Sequence, residues 1–260
     1  MADPLIHPSA IIEKGAQIGQ GVRIGPFCVI GPKVSLADGV ELKSHVVIAG
    51  DTSVGEGTVI FPFASIGQDP QDLKFKGEHT RLEIGARNRI REYVTMNPGT
   101  EGGGAVTRVG DDGLFMANCH VAHDCQIGNR VVLVNSVAVA GHCVLGDDVI
   151  VGGLSGIHQF VRIGRGAMIG ALSMVTADVI PHGLVQGPRA HLDGLNLVGL
   201  KRRGASRAEI AELREVLARL HDGSFRDTAR DLSAMDRGAM VGEVLEFILG
   251  PSDRSFLKPA

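Results

Sequence analysis

The sequence predicts a mainly β architecture, a three-sided parallel β-helix of hexapeptide repeats, with a C-terminal α-helical domain. Three observations carry that prediction. Aliphatic residues recur every six positions without a miss at Ile6, Ile12, Ile18, Ile24, Ile30, Leu36, Leu42, Ile48, Val54, Ile60 and Ile66. The phase returns at Ile84, Ile90 and Met96, shifts once, and then holds from Val109 to Val175. An amphipathic helix repeats near 3.6 residues and a half-buried strand at 2, so a strict six fits neither. It marks a solenoid, in which each repeat covers only its neighbours. The second observation is a small residue four places after each anchor, as at Ala16, Val22, Cys28, Val34 and Ala64. The third is a glycine directly after many anchors, among them Gly19, Gly25, Gly55, Gly110 and Gly128. Short strands joined by corners that need unusual backbone angles or small inward residues fit both columns. Three sides then make one coil, and each coil adds about 4.8 Å of height.

Composition agrees. Gly supplies 36 of 260 residues, Trp none and Tyr one, which suits a narrow prism filled by Ile, Val and Ala. The net charge of −3 gives no electrostatic reason to expect nucleic acid or an anionic membrane as partner. Pro8, Glu13 and Lys14 interrupt any N-terminal apolar run, and no stretch reaches transmembrane length, so a cytoplasmic protein without membrane insertion is expected. Cys28, Cys119, Cys125 and Cys143 all fall in the small-residue column and read as packing, not as disulfides.

Two segments break the hexads. Gln68 to Arg81 is charged, and Pro98 to Arg108 contains three consecutive glycines. Loops this long in a compact solenoid are usually functional or disordered, and the first is expected to touch substrate. The expected division is a β-helix over 1–190 and a helical domain over 191–260. In the latter, Ser206 and Glu209 have capping-box spacing and Ile210, Leu213, Val216, Leu217 and Leu220 form a helical stripe. Further helical stretches are expected around Ala229, Leu232 and Met235, and around Val241, Val244, Leu245 and Ile248.

Chemistry is expected where four histidines gather in the later coils: His120, His123, His142 and His158. Residues eighteen apart lie above one another, so His123 stacks under Gly141, Gly141 under Gln159, and Asp124 under His142. Adjacent strand residues face opposite ways unless a corner intervenes, which leaves Asp124 free to orient either His123 or His142. Two chemistries remain open on these residues. A neutral His could take a proton from an alcohol attacking an acyl thioester, with the Gly141 N–H as oxyanion donor. Alternatively, His120, His123 and His142 could bind zinc, as in the hexapeptide-fold carbonic anhydrases.

The hexads resemble those of the hexapeptide-repeat acyltransferases, whose β-helix is left-handed. More specifically, the segments Gln71–Glu78, Arg81–Gly85, Asn88–Glu92, His120–Cys125, Ile127–Arg130, Ala140–His142, Val151–Gly153, Ile157–Phe160 and Gly199–Gly204 resemble the UDP-N-acetylglucosamine O-acyltransferases of lipid A biosynthesis. That resemblance implies a homotrimer with active sites between subunits and no cofactor or metal. It also implies a (R)-3-hydroxyacyl acyl carrier protein as donor and the 3-hydroxyl of UDP-N-acetylglucosamine as acceptor, though some relatives acylate a 3-amino sugar. By the same resemblance His123 is the general base, Asp124 its assistant and Gly141 the oxyanion donor. Asp72, Lys74, His120, His142, His158 and Gln159 match substrate-binding positions, and Asn196, Arg202 and Arg203 match positions that meet the nucleotide. Three departures stand out: Val198 in place of a Glu, Asn97-Pro98 in place of a His-Arg pair, and Ala171 in place of a Gly at the floor of the acyl groove. The extra methyl of Ala171 should shorten the preferred acyl chain.

Overall fold

The structure is a computed structural model that describes residues 3–221 and 224–258, with His221 described by its backbone only. Each hexad contributes a two-residue strand whose second residue is the aliphatic anchor, buried in most coils, as in Arg23–Ile24, Val29–Ile30 and Glu41–Leu42. Outside the two interruptions, strands of the coils pair in parallel with those eighteen residues on: Leu5 lies against Arg23 and Ile6 against Ile24. Among the described residues the pairs build three sheets of eleven, nine and eight strands, the faces of a three-sided prism. The core is the stack of anchors and small residues inside, with Phe115, Ile30, Leu36 and Ile60 fully enclosed.

Both interruptions leave the register intact. Ile60 pairs directly with Ile90 across the first, and Met96 with Val121 across the second. The loops are therefore extruded from the prism without slipping it. They are also shorter than the broken hexads suggest. Arg81 and Val106 to Arg108, expected in loops, lie in two paired four-residue strands, Arg81–Ile84 and Val106–Val109.

The corner geometry corrects the reading of the glycine column. The left-handed conformation falls three places after the anchor, and non-glycine residues adopt it: Phe27 (φ 59°), Asp124 (60°), His142 (61°) and Phe160 (65°). Glycine directly after the anchor answers a different need, close contact between coils. A Cβ on Gly25 would sit 2.6 Å from the Lys43 carbonyl oxygen, and one on Gly110 2.7 Å from the Gly128 carbonyl carbon. The strain of the left-handed corners, of order 1 kcal/mol each, is offset where corner side chains stack. Phe27, His45, Phe63 and Tyr93 form such a ladder, with centroids 5.0, 4.9 and 5.2 Å apart.

The four cysteines are free and buried, as their column requires. The Cys28 and Cys143 thiols donate to the Lys43 and His158 carbonyls at 2.9 and 3.1 Å. Burial pushes the Cys119 thiol up to about 11, and burial followed by the neighbouring Cys143 thiol raises Cys125 well above its ordinary value.

Beyond the last coil, Gly183–Gln186 pairs antiparallel with His191–Leu195, so a hairpin spans the expected boundary at 190/191. Among the described residues four helices follow: α1 (Leu197–Arg202), α2 (Arg207–His221), α3 (Phe225–Ser233) and α4 (Ala239–Leu249). The capping box opens α2 with the Glu209 carboxylate accepting from the Ser206 N–H at 2.7 Å and the Ser206 hydroxyl accepting from the Glu209 N–H at 3.2 Å. Ile210, Leu213, Val216 and Leu220 are buried, as are Val241, Val244, Leu245 and Ile248 of α4. Met235 is the exception. The chain leaves the helix at Ala234, so Met235 stands beyond α3 and is 50 % exposed. None of these helices is long and apolar enough to cross a membrane.

One buried carboxylate ties the C-terminal tail to the prism. Asp178 accepts from the Arg162 backbone N–H and Nε at 2.9 and 2.8 Å and from the Ser252 hydroxyl at 2.6 Å. Asp178 is fully buried and the Arg162 side chain 17 % exposed, so removing the carboxylate strands a largely buried charge. Asp178→Ala is thus expected to lower unfolding free energy by about 3–5 kcal/mol. In the same urea titration, Asp227→Ala, which breaks only an exposed pair with Arg230, should stay within about 0.5 kcal/mol. Equal losses in the two variants would refute the clamp.

Candidate functional site

The strand His120–Val121 ends at Val121, and the corner that follows places His123 and Asp124 side by side. Consecutive residues on a straight strand would diverge. The left-handed Asp124 backbone folds both side chains to one side. His123 Nδ1 donates to Asp124 Oδ2 at 2.7 Å, whereas His142 Nδ1 lies 3.8 Å from the same oxygen. The hydrogen bond therefore belongs to His123, and the alternative role of Asp124, orienting His142, is not adopted. The Asp124 side chain is wholly buried and that of His123 is 12 % exposed. With Nδ1 committed as donor, Nε2 keeps its lone pair.

The vertical stacking is as the eighteen-residue period requires. The His142 N–H donates to the His123 carbonyl and the Phe160 N–H to the Gly141 carbonyl, at 3.0 and 3.1 Å. Gly141 faces the imidazole so closely that a Cβ there would lie 2.5 Å from His123 Cε1 and 2.6 Å from Nε2. The His142 ring meets His123 edge-on at 5.0 Å and lies flat on Phe160 at 4.4 Å. Phe160 closes the segment Ile157–Phe160 of the resemblance but is not among the site residues that the sequence singles out.

Asp72 and Lys74 of the first loop join His142 and Phe160 around a cavity of about 620 Å³, closed on another side by Thr100, Glu101 and Gly102. The first loop is held at its base by Asn97, whose Nδ2 donates to the Gln68 and Asp69 carbonyls at 2.9 and 3.2 Å. Asn97 thus has a structural task in place of the histidine of the pair it replaces.

The other named residues lie apart from this cavity. His120 turns Nδ1 to the Thr95 hydroxyl at 2.8 Å. The tight group among the described residues is consequently His123, Asp124 and His142, not the zinc triple His120, His123 and His142. His158 and Gln159 are exposed, and Arg254 donates to His158 Nδ1 at 2.8 Å. Ala171 is also exposed, on the corner beside left-handed Leu172. Asn196, Arg202 and Arg203 line a second cavity of about 540 Å³ with Val198 and Arg130. There the Asn196 carboxamide is already engaged, capping α1 through Gly199 and donating to the Gly166 carbonyl. Arg203 reaches His182 at 3.1 Å, while Arg202 makes no hydrogen bond or ion pair among the described residues. Val132, Ile150 and Met168, which line the second cavity, lie in strands of the eleven-stranded sheet, whereas His142 and Phe160 of the first are corner residues that follow strands of the nine-stranded sheet.

Burial lowers the pKa of both inner histidines. For His120 loss of hydration acts first and the neighbouring His123 second; for His142 burial outweighs the opposing pull of Asp124. In the unfolded chain both titrate near 6.5. Above that pH neither state is charged and these residues add no pH dependence. Below it the unfolded chain binds protons that the folded chain refuses, so stability falls as pH falls. A denaturation midpoint that drops on acidification from pH 7 to 5, with a shallower drop in His120→Asn, is the expected result. An identical slope in the variant would contradict it.

Comparison with known proteins agrees with this architecture. Residues 178–257 match the family model "Udp N-acetylglucosamine O-acyltransferase; Domain 2", and residues 1–32 match the bacterial transferase hexapeptide model. The acyl-[acyl-carrier-protein]–UDP-N-acetylglucosamine O-acyltransferase of Paracoccus denitrificans is 81 % identical over 77 % of each chain. That of Agrobacterium fabrum is 46 % identical over 99 % of this chain and 97 % of its own. A crystal structure of UDP-N-acetylglucosamine acyltransferase superimposes with a TM-score of 0.95 at 44 % identity, covering 98 % of this chain and 99 % of the other. The corresponding Campylobacter jejuni enzyme gives 0.92 at 37 % identity, over 98 % of this chain and 100 % of its own. An extruded acidic-basic loop, a histidine–carboxylate pair at a coil corner and a helical cap with two adjacent arginines thus sit on a frame shared along its whole length, and the chain belongs to the UDP-N-acetylglucosamine O-acyltransferases, a family of hexapeptide-repeat acyltransferases.

Proposed function

We propose that the protein transfers a (R)-3-hydroxyacyl chain from acyl carrier protein to the glucosamine 3-hydroxyl of UDP-N-acetylglucosamine, the first step of lipid A biosynthesis. The observation that carries the mechanism is the 2.7 Å bond from His123 Nδ1 to the buried Asp124 carboxylate, which leaves Nε2 as the basic nitrogen. His123 Nε2 takes the hydroxyl proton as the sugar oxygen attacks the thioester carbon. The Gly141 N–H stabilises the oxyanion. Collapse expels the carrier thiolate, to which His123 returns the proton.

Asp72, Lys74 and His142, which line the first cavity, and His120, His158 and Gln159, which lie outside its lining, are the substrate-binding residues in this reading, and Asn196, Arg202 and Arg203 serve the nucleotide. Arg202, with no partner among the described residues, is the best placed for a phosphate. One substrate cannot contact both cavities of a single chain if they open on different faces, which favours a homotrimer with sites shared between subunits. A left-handed coil, a cytoplasmic location and the division into a catalytic β-helix (1–190) and a helical domain (191–260) belong to the same proposal.

The test is transfer with purified protein, UDP-N-acetylglucosamine and a series of (R)-3-hydroxyacyl carrier proteins, with the 3-amino sugar analogue in parallel. Product on the 3-hydroxyl supports the reading, and product on the amine alone refutes the oxygen acceptor. Within the series, the optimum is expected at or somewhat below the longest family chains, and Ala171→Gly should lengthen it. Best use of the longest donor by the unaltered protein would remove the Ala171 argument.

A further inference from the structure

The glycine-rich loop after Met96 does not simply bridge two coils. It closes over the carboxylate of Asp124. Thr100 donates its backbone N–H to Asp124 Oδ1 at 2.8 Å and its hydroxyl to Oδ2 at 2.6 Å. Behind the carboxylate, the Asp124 N–H donates to the Thr107 hydroxyl at 2.8 Å. Thr100, Thr107 and Asp124 are all buried. The loop folds back on itself to present Thr100, whose carbonyl accepts from the Gly103 and Ala105 N–H groups at 3.0 and 2.8 Å.

The glycines make the approach possible. A Cβ on Gly99 would lie 2.8 Å from Asp124 Oδ1, and one on Gly103 would overlap the carboxylate itself. Gly104 and Ala105, both left-handed, turn the chain back towards the next strand. Three donors thus fix the rotation of one carboxylate: two from Thr100 and one from His123.

We infer that Thr100 is a positioning residue for the His123–Asp124 pair, and that the glycine-rich loop serves to seat it. This rests on the reading of His123 as general base. The two Thr100 bonds hold Oδ2 where it meets His123 Nδ1, which fixes both the ring plane and the nitrogen that stays unprotonated. Without the hydroxyl bond the carboxylate can rotate towards His142, 3.8 Å away.

Thr100→Val is the decisive variant. It is nearly isosteric, keeps the backbone N–H, and suits the extended Thr100 backbone (φ −122°, ψ 159°). Loss of one hydrogen bond to a charged group is expected to lower kcat by about 10- to 100-fold. KM for UDP-N-acetylglucosamine should not change, and the melting temperature should fall only by the few degrees that one lost buried hydrogen bond costs. Thr100→Ser, which retains the hydroxyl, should restore most of kcat, and in a His123→Ala background Thr100→Val should have no further effect. If the valine variant does not fold, Thr100→Ala carries the same expectation. Unchanged kcat, a loss confined to KM, or an equal loss in the serine variant would overturn the assignment. Full turnover by His123→Ala would instead overturn the general-base reading, and is separable because it does not involve the loop.

Discussion

His123→Ala is expected to lower kcat at least about 100-fold, the contribution of the proposed general base, while leaving the fold intact. The side chain is 12 % exposed and sits in an outward corner, so its removal opens no cavity in the aliphatic core. Its ring nitrogen bonds only Asp124, which keeps two other donors from Thr100 and so is not orphaned. The check is kcat and KM measured with saturating acyl donor, beside a melting curve. A loss that appears only in KM would make His123 a binding residue. Because His123, Asp124 and His142 also form a possible ligand group, the assay is run with and without EDTA. Collapse of the unaltered enzyme in EDTA would replace the proton-transfer mechanism with a metal-dependent one.

Gly141→Ala should be nearly as damaging by a different route. The backbone of Gly141 does not require glycine, since its φ is not in the left-handed region. The added methyl would instead lie 2.5 Å from His123 Cε1, inside any tolerable contact, so the ring must move. Catalytic geometry tolerates little of this, and a displacement near 1 Å costs about 100-fold. Overpacking should cost only about 1–3 kcal/mol in stability. Gly156→Ala is the matched control, because nothing lies within 4 Å of a Cβ there. Turnover in Gly141→Ala equal to that of the control would show that the ring relaxes freely and that the contact has no catalytic meaning.

The periodic part of this molecule was legible in the sequence because each coil reports the same inward positions. The anchors, the buried cysteines and the stack of His123 beneath Gly141 all follow from counting in sixes and eighteens. What counting cannot supply is the backbone sign at a corner. Asp124 turns towards His123 because its φ is 60°, and no residue identity marks that, since Phe, Arg, Leu and Ser adopt the same angle elsewhere. The glycine column misleads for a related reason: those residues are required by the coil above, not by their own dihedrals. Thr100 could not have been found by period, because it lies in a segment that has none. Its glycine neighbours were the one clue, as three small residues in sequence permit a chain to press against something, though not to say what. Met235 fell outside its helix because apolar spacing locates a stripe but not the residue at which the chain stops following it.

A coil held only by the coils above and below it also has an order of failure. Among the described residues the lowest rungs, where Ile6 and Ile11 are exposed, pair on one side only, while the far end is clamped to the C-terminal tail through Asp178. Heating should therefore peel the molecule from its amino-terminal rungs upward, and the turn bearing His123, deep in the stack, should be among the last to go. An amide-exchange map and an activity half-life would then measure two different events: the first, a fraying that begins early and costs the enzyme nothing; the second, the collapse of the whole column.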